Sequence, residues 1–121
     1  MIQMDEAVNM LVGNPTADSE HLELILLINL IYAYSNNKIY KSAVPGLVVL
    51  FTTKLLSHCK SEEKVLAEMS SYTLGEHTEE HVKLISKTTS MLEEISLDTI
   101  KSFEQMLKDH IRDYDMVGFS S

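Results

Sequence analysis

HCKSEEKVLAEMSSYTLGEHTEEH, residues 58–81, carries three of the chain's five histidines within 24 residues. Its two ends read as helix. His58 and Glu62 form an H-x-x-x-E pair, and His77 and His81 form an H-x-x-x-H pair. Residues four apart on a helix differ by roughly 40° around the axis and lie one turn apart, so each pair shares a face. YTLG, at residues 72–75, reads as a connector between two helices that turn back on one another.

Outward from this stretch the same signals recur. Glycine and proline are scarce, 4 and 2, and good helix formers dominate. Residues 1–17 read as a lead-in with NPT (Asn14 to Thr16) as a turn. A first helix is expected over about 18–34, with Asp18 as N-cap and SNNK closing it. A second spans about 42–70 and tolerates Pro45 in its opening turn. A third covers about 76–95, and Ser96 caps a fourth over about 97–115. Val82, Ile85, Thr89 and Leu92 follow the helical repeat in the third, as do Ile100, Phe103, Met106, Leu107 and Ile111 in the fourth. Met69 and Met91 read as core, and Glu76, Glu79 and Glu80 as a solvated face. Four long amphipathic helices with short connectors predict an all-α fold. Its architecture is an antiparallel up-down-up-down four-helix bundle, a single domain over 1–121.

At 121 residues, 45% hydrophobic and 23% charged, the chain has the make-up of a soluble globular domain that buries a sizeable core without a staple. A formal charge of −8 repels a phosphate backbone and an anionic membrane surface, so no nucleic acid and no membrane are expected as partners. Cys59, the one cysteine, cannot pair within the chain, which accords with a reducing compartment. MIQMDEAVNM lacks the charged and apolar regions of a signal peptide. LELILLINLIYAY (Leu22 to Tyr34) is interrupted by Glu23 and Asn29 and is too short to span a bilayer. A cytoplasmic protein is expected.

Singly, each histidine pair is weak: H-x-x-x-E is more often a surface salt bridge. The full set weighs differently. His21 falls early in the first expected helix, His58 late in the second, His77 and His81 early in the third, and His110 late in the fourth. In an up-down-up-down course these positions lie at one end, so all five imidazoles share a level. Glu62 joins them, and Asp115 lies five residues past His110. Imidazole and carboxylate suit iron, zinc, copper or manganese, and a bundle interior is a recurrent place for such a site. Five nitrogens and two carboxylates exceed the needs of one tetrahedral ion and suit two carboxylate-bridged ions. His110 and Asp115 stand roughly 140° apart on a regular helix, so a π-type turn or an unwound end is expected near Tyr114.

This pattern resembles that of the hemerythrins, specifically the bacterial hemerythrin-like domains, over nearly the whole chain. The family's order is H, HxxxE, HxxxH fifteen residues past the Glu, then HxxxxD; here it is matched by His21, His58 with Glu62, His77 with His81, and His110 with Asp115. VGNPTADSEH (Val12 to His21) is similar to the family's VGxxxIDxQH lead-in, with Ala17 for Ile and Glu20 for Gln. Asn29 sits where that helix commonly carries one, and HIRDYD is similar to the usual ending. The resemblance implies two non-haem iron ions as cofactor. His77, His81 and His110 would saturate one, and His21 and His58 would hold the other with an open position. Glu62 and Asp115 would bridge the pair beside an oxo or hydroxo group. O2 would bind at the open iron and be held as hydroperoxide, with NO or small anions as other ligands of that position.

By position, the O2 pocket would be walled by Leu24, Cys59, Met106, Leu107 and Ile111. Two of these depart from the family: Cys59 stands where Phe is usual, and Met106 replaces an aromatic residue common in the oxygen carriers. The N-terminal Trp frequent in bacterial members is also absent. Smaller, more pliable side chains favour faster autoxidation or a wider channel. The thiol of Cys59 reads first as a small hydrophobe and second as a redox handle. The resemblance therefore implies a non-enzymatic O2-binding protein for carriage or for oxygen and redox sensing, the latter with a C-terminal effector domain in the full-length protein. A diiron enzyme (an oxidase, a scavenger of NO or peroxide, or an iron-repair protein) is the competing function; such enzymes carry more carboxylate ligands. A helical bundle with adventitious zinc is the plainest alternative.

Overall fold

Asn14 starts the first long helix of the computed structural model, which describes residues 1–69, 74–93 and 95–112. Its side-chain oxygen accepts from the Ala17 amide at 3.0 Å, and Pro15 occupies the opening turn, where a missing N–H costs nothing. Asp18, expected as the cap, sits instead in the first turn. Its carboxylate accepts from the amides of Val12 (2.7 Å) and Gly13 (3.2 Å) and so folds the lead-in back onto the helix start. Gly13 has φ +84°, a left-handed turn conformation that favours glycine.

The order is α1 (Met4–Asn9), α2 (Pro15–Ser35), a 3-10 turn (Lys41–Ala43), α3 (Val44–Glu68), α4 (Leu74–Glu93) and α5 (Leu97–His110), with no strand among the described residues. The lead-in thus contains a short helix that the sequence did not signal. Asn29 anchors it: its side-chain amide accepts from the Ile2 N–H and donates to the Ile2 carbonyl, both at 2.9 Å. Ser96 caps α5 as expected, accepting from the Thr99 amide at 3.2 Å. Past His110 the chain widens into a π turn at residues 111–112, the kind of irregularity expected in that region; Asp115 and Tyr114 lie outside the described residues.

The four long helices close a ring of contacts: α2 on α3, α3 on α4, α4 on α5, and α5 back on α2. Their shared interior is apolar over most of its length. Phe51 and Phe103 meet edge to face at 5.3 Å between ring centres, surrounded by Ile28, Ile31, Val48, Leu55, Ile100 and Leu107. In α5 the expected stripe is buried at Ile100, Phe103, Leu107 and Ile111, with Met106 only partly covered. In α4 the stripe runs one residue out of phase with expectation. His77, His81, Leu84 and Thr88 face inwards, while Val82 is 64% exposed. The two imidazoles set that face, and Val82, about 100° round from His81, must then point away. The Leu92 and Met91 side chains lie outside the described residues. Met69, expected in the core, ends α3 and is exposed.

Helix α2 is apolar on all sides: Leu24, Ile25, Ile28 and Ile31 are buried, whereas Leu22, Leu26 and Leu30 meet solvent. The stretch Lys41–Glu68 is long and apolar enough by composition to cross a membrane, with about one third of its most apolar window buried. In this structure its inner face packs on α2 and α4. Because Phe51 is fully enclosed, Phe51→Ala should destabilise the metal-free protein by about 3–5 kcal/mol. Urea denaturation followed by circular dichroism measures this, and a loss below about 1 kcal/mol contradicts the packing described.

Candidate metal centre

Four helices each bring a histidine to one place. His21 stands in the second turn of α2, His58 and Glu62 late in α3, His77 and His81 in the first turns of α4, and His110 at the end of α5. All six side chains are at most 3% exposed. The expectation that the five imidazoles share a level is met: ring centres lie 4.6 Å apart for His21 and His58, 5.1 Å for His77 and His81, and 5.0 Å for His81 and His110. The nearer groups are joined across the site by His58 and His81 at 6.5 Å.

Glu62 divides the set. Its Oε2 faces Nε2 of His58 at 3.1 Å and of His21 at 3.3 Å. Its Oε1 faces Nε2 of His77 at 2.8 Å, of His81 at 3.0 Å and of His110 at 3.9 Å. Two groups of donor atoms result, His21–His58–Glu62 and Glu62–His77–His81–His110, each gathered within 4.8 Å. The i, i+4 spacing on α3 makes this possible, because it stacks His58 over Glu62 and lets the carboxylate reach both groups from one helix face.

The donor chemistry fits a metal. His58 Nδ1 lies 3.1 Å from Glu20 Oε1, and His81 Nδ1 lies 3.1 Å from Glu63 Oε1. An ionised carboxylate only accepts, so each Nδ1–H donates to it, and in the neutral form of the ring this leaves Nε2 with its lone pair turned inwards. Those lone pairs face the Glu62 oxygens, and His58 Nε2 also lies 3.1 Å from His21 Nε2. With the rings neutral, acceptors opposed at such distances in a dry interior are reconciled by a proton or another cation between them. Supplying it by protonating the rings would crowd several positive charges around one carboxylate; a bound metal ion does it with the same atoms. These buried clusters can hold a metal ion.

The remaining sequence candidates fall as follows. Leu24, Cys59, Leu107 and Ile111 are buried in the core, and Met106 packs against it partly covered. Asp115 lies outside the described residues. Glu76 and Glu79 are exposed and Glu80 is half-buried. Glu20 stood out in the sequence only as part of the lead-in and Glu63 not at all. The available signal was an acid beside a ligand position, at 20 next to His21 and at 63 next to Glu62. Buried Glu104, which pairs with the Met1 amine at 3.2 Å, also went unsignalled. A cavity of about 600 Å³ lies at the other ends of the helices, between Ser35, Lys41, Val44, Ile95 and Leu97.

Comparison with known proteins adds no family: no family model, curated protein or solved structure matches the chain.

Burial pushes the Glu62 carboxyl up, yet the imidazoles of His110, His21, His58 and His77 grouped around it override this and hold it well below the usual carboxylate range. Its folded pKa is thus below its unfolded one. Its stabilising contribution is complete above the ordinary value of about 4.3 and is lost as pH falls through the lower folded value. In thermal unfolding of the metal-free protein, the gap between wild type and Glu62→Gln should therefore narrow as pH drops below about 4.3. A gap that stays constant or widens over that range contradicts the assignment.

Proposed function

We propose that this chain is a non-haem diiron protein of the hemerythrin type that binds O2, for oxygen or redox sensing or for oxygen carriage. The observation that carries the proposal is the division of five imidazoles by one carboxylate, two at Oε2 and three at Oε1. A carboxylate flanked by nitrogen donors on both oxygens is the arrangement that bridges two ions. The inequality between the ends supports one filled and one incompletely filled ion, and hence a position for an exogenous ligand.

In this reading the chain is an antiparallel four-helix bundle running up-down-up-down. Residues early in α2 and α4 meet residues late in α3 and α5, which is the convergence such a course produces. His77, His81 and His110 would hold one iron and His21 and His58 the other, with Glu62 between them. Asp115 would serve as the second bridge. When bound, the reduced pair supplies the vacant position and the two electrons that reversible O2 uptake uses.

The protein's own contribution is orientation and dryness. Helix spacing fixes where each Nε2 points, and the buried Leu24, Cys59, Leu107 and Ile111 would keep water from the site, with the partly covered Met106 at its edge. The thiol at 59 and the thioether at 106 make a softer wall than aromatic rings, which favours a ligand that comes and goes over one that is stored. NO or a small anion would compete for the same position. A nitrogen-rich donor set ranks this reading above a diiron enzyme, and the lone cysteine accords with a reducing cytoplasm.

The test is anaerobic loading with ferrous iron followed by O2, watched in the visible. A persistent new band marks a carrier, a transient band that decays to the diferric spectrum marks a sensor, and an unchanged spectrum contradicts the proposal. His77→Ala serves as the control: it should lose iron together with the stability that iron confers, about 3–4 kcal/mol when iron is present at 100–1,000 times its Kd. Full retention of both in that variant would count against the ligand set.

A further inference from the structure

Two acids outside the ligand set touch it, and they are placed with a regularity the ligands alone do not require. Glu20, on α2, reaches across to accept the Nδ1–H of His58 on α3 at 3.1 Å. Glu63, on α3, reaches across to accept the Nδ1–H of His81 on α4 at 3.1 Å. One serves the group at Glu62 Oε2 and the other the group at Oε1. Both are half-buried, 26% and 30% exposed at the side chain, while the rings they hold are at most 3% exposed. Each therefore sits at the rim of the site with its inner oxygen on a ring.

We infer that Glu20 and Glu63 are positioning residues that tune the two halves of the metal centre separately, Glu20 through His58 and Glu63 through His81. This rests on the metal reading proposed above. The physical basis is that an imidazole has two nitrogens and one proton when neutral. An acceptor fixed at Nδ1 selects the tautomer whose Nε2 is a ligand, fixes the ring's rotation about its Cβ–Cγ bond, and makes the ligand nitrogen more basic. Because each hydrogen bond crosses a helix interface, it also sets how two helices are turned relative to one another. α3 takes part in both contacts, donating one from His58 and accepting the other at Glu63, the residue after the bridging Glu62. An acid in that adjacent position lies roughly 100° round the helix, which aims it at the neighbouring helix and away from the interior.

The experiment has two readouts. In the first, ferrous iron is titrated anaerobically against a competing chelator, giving two stepwise affinities for wild type. Glu63→Ala should weaken one of them by about 10–100-fold, and Glu20→Ala should weaken the other by a similar factor. Glu63→Gln and Glu20→Gln, whose amide oxygens still accept from Nδ1–H, should recover most of the loss. A purely structural role would not give that recovery together with unchanged helicity in the metal-free variants. In the second readout, ring-nitrogen NMR of the metal-free protein should show Nδ1–H at His58 and His81, with the proton distribution altered at His58 only in Glu20→Ala and at His81 only in Glu63→Ala. Unchanged affinities in the Ala variants, equal weakening of both steps by either substitution, or ring signals indifferent to the acids would each overturn the inference. Wild type that takes up no ferrous iron would instead overturn the metal reading, and the NMR readout would still decide the hydrogen-bond assignment.

Discussion

A single carboxylate shared by five imidazoles in a dry interior is the constraint on which the rest of this structure depends. Glu62 has two oxygens, and each must answer more than one nitrogen, the closest at 2.8 Å. Nothing apolar can substitute for such an arrangement, and nothing in bulk water reaches it, because every member is at most 3% exposed. Four helices must therefore end or begin at a common level and must each be rotated to present a ring to the same point. Those two requirements fix most of the architecture. The short connectors and the ring of helix contacts follow from meeting them within a chain of 121 residues.

Away from this end the interior is ordinary hydrocarbon, and the contrast is physically useful. The Phe51–Phe103 pair and the aliphatic side chains around it supply the stabilisation that offsets the cost of drying six polar side chains. α3 links the two regimes. Its first turns contribute Val48 and Phe51 to the apolar core, and its later turns contribute His58 and Glu62 to the site and Glu63 to the rim. The lead-in closes over the α2 side of the same core, held by Asn29 on Ile2, by Asp18 on Val12 and Gly13, and by Lys108 on Glu6 at 3.0 Å.

Much of this was legible in the sequence because spacing carries geometry. Histidines at i, i+4, and a carboxylate one turn from an imidazole, state which side chains share a face, and their positions along expected helices state which end they share. The Ser96 cap and the widened turn after His110 follow from equally local rules. What escaped notice depends on azimuth and tertiary contact. The apolar repeat of α4 was read through Val82, which is exposed, whereas the face that turns inwards is the one carrying the H-x-x-x-H pair His77 and His81. The short α1 has no core stripe of its own and is defined by the Asn29 clamp, a contact 27 residues distant. Asp18 resembled a cap by residue type, but Asn14 with Pro15 behind it takes that role. Glu20 and Glu63 lie next to ligand positions, yet only the packing of adjacent helices shows which ring each acid meets.

The measurement that bears most directly on the shared-carboxylate account is anomalous diffraction at the iron edge from crystals of the iron-loaded protein. Two peaks, one beside His21 and His58 and the other beside His77, His81 and His110, with the Glu62 carboxylate between them, are the expected result. A single peak coordinated at one end only, or iron bound away from Glu62, would contradict it.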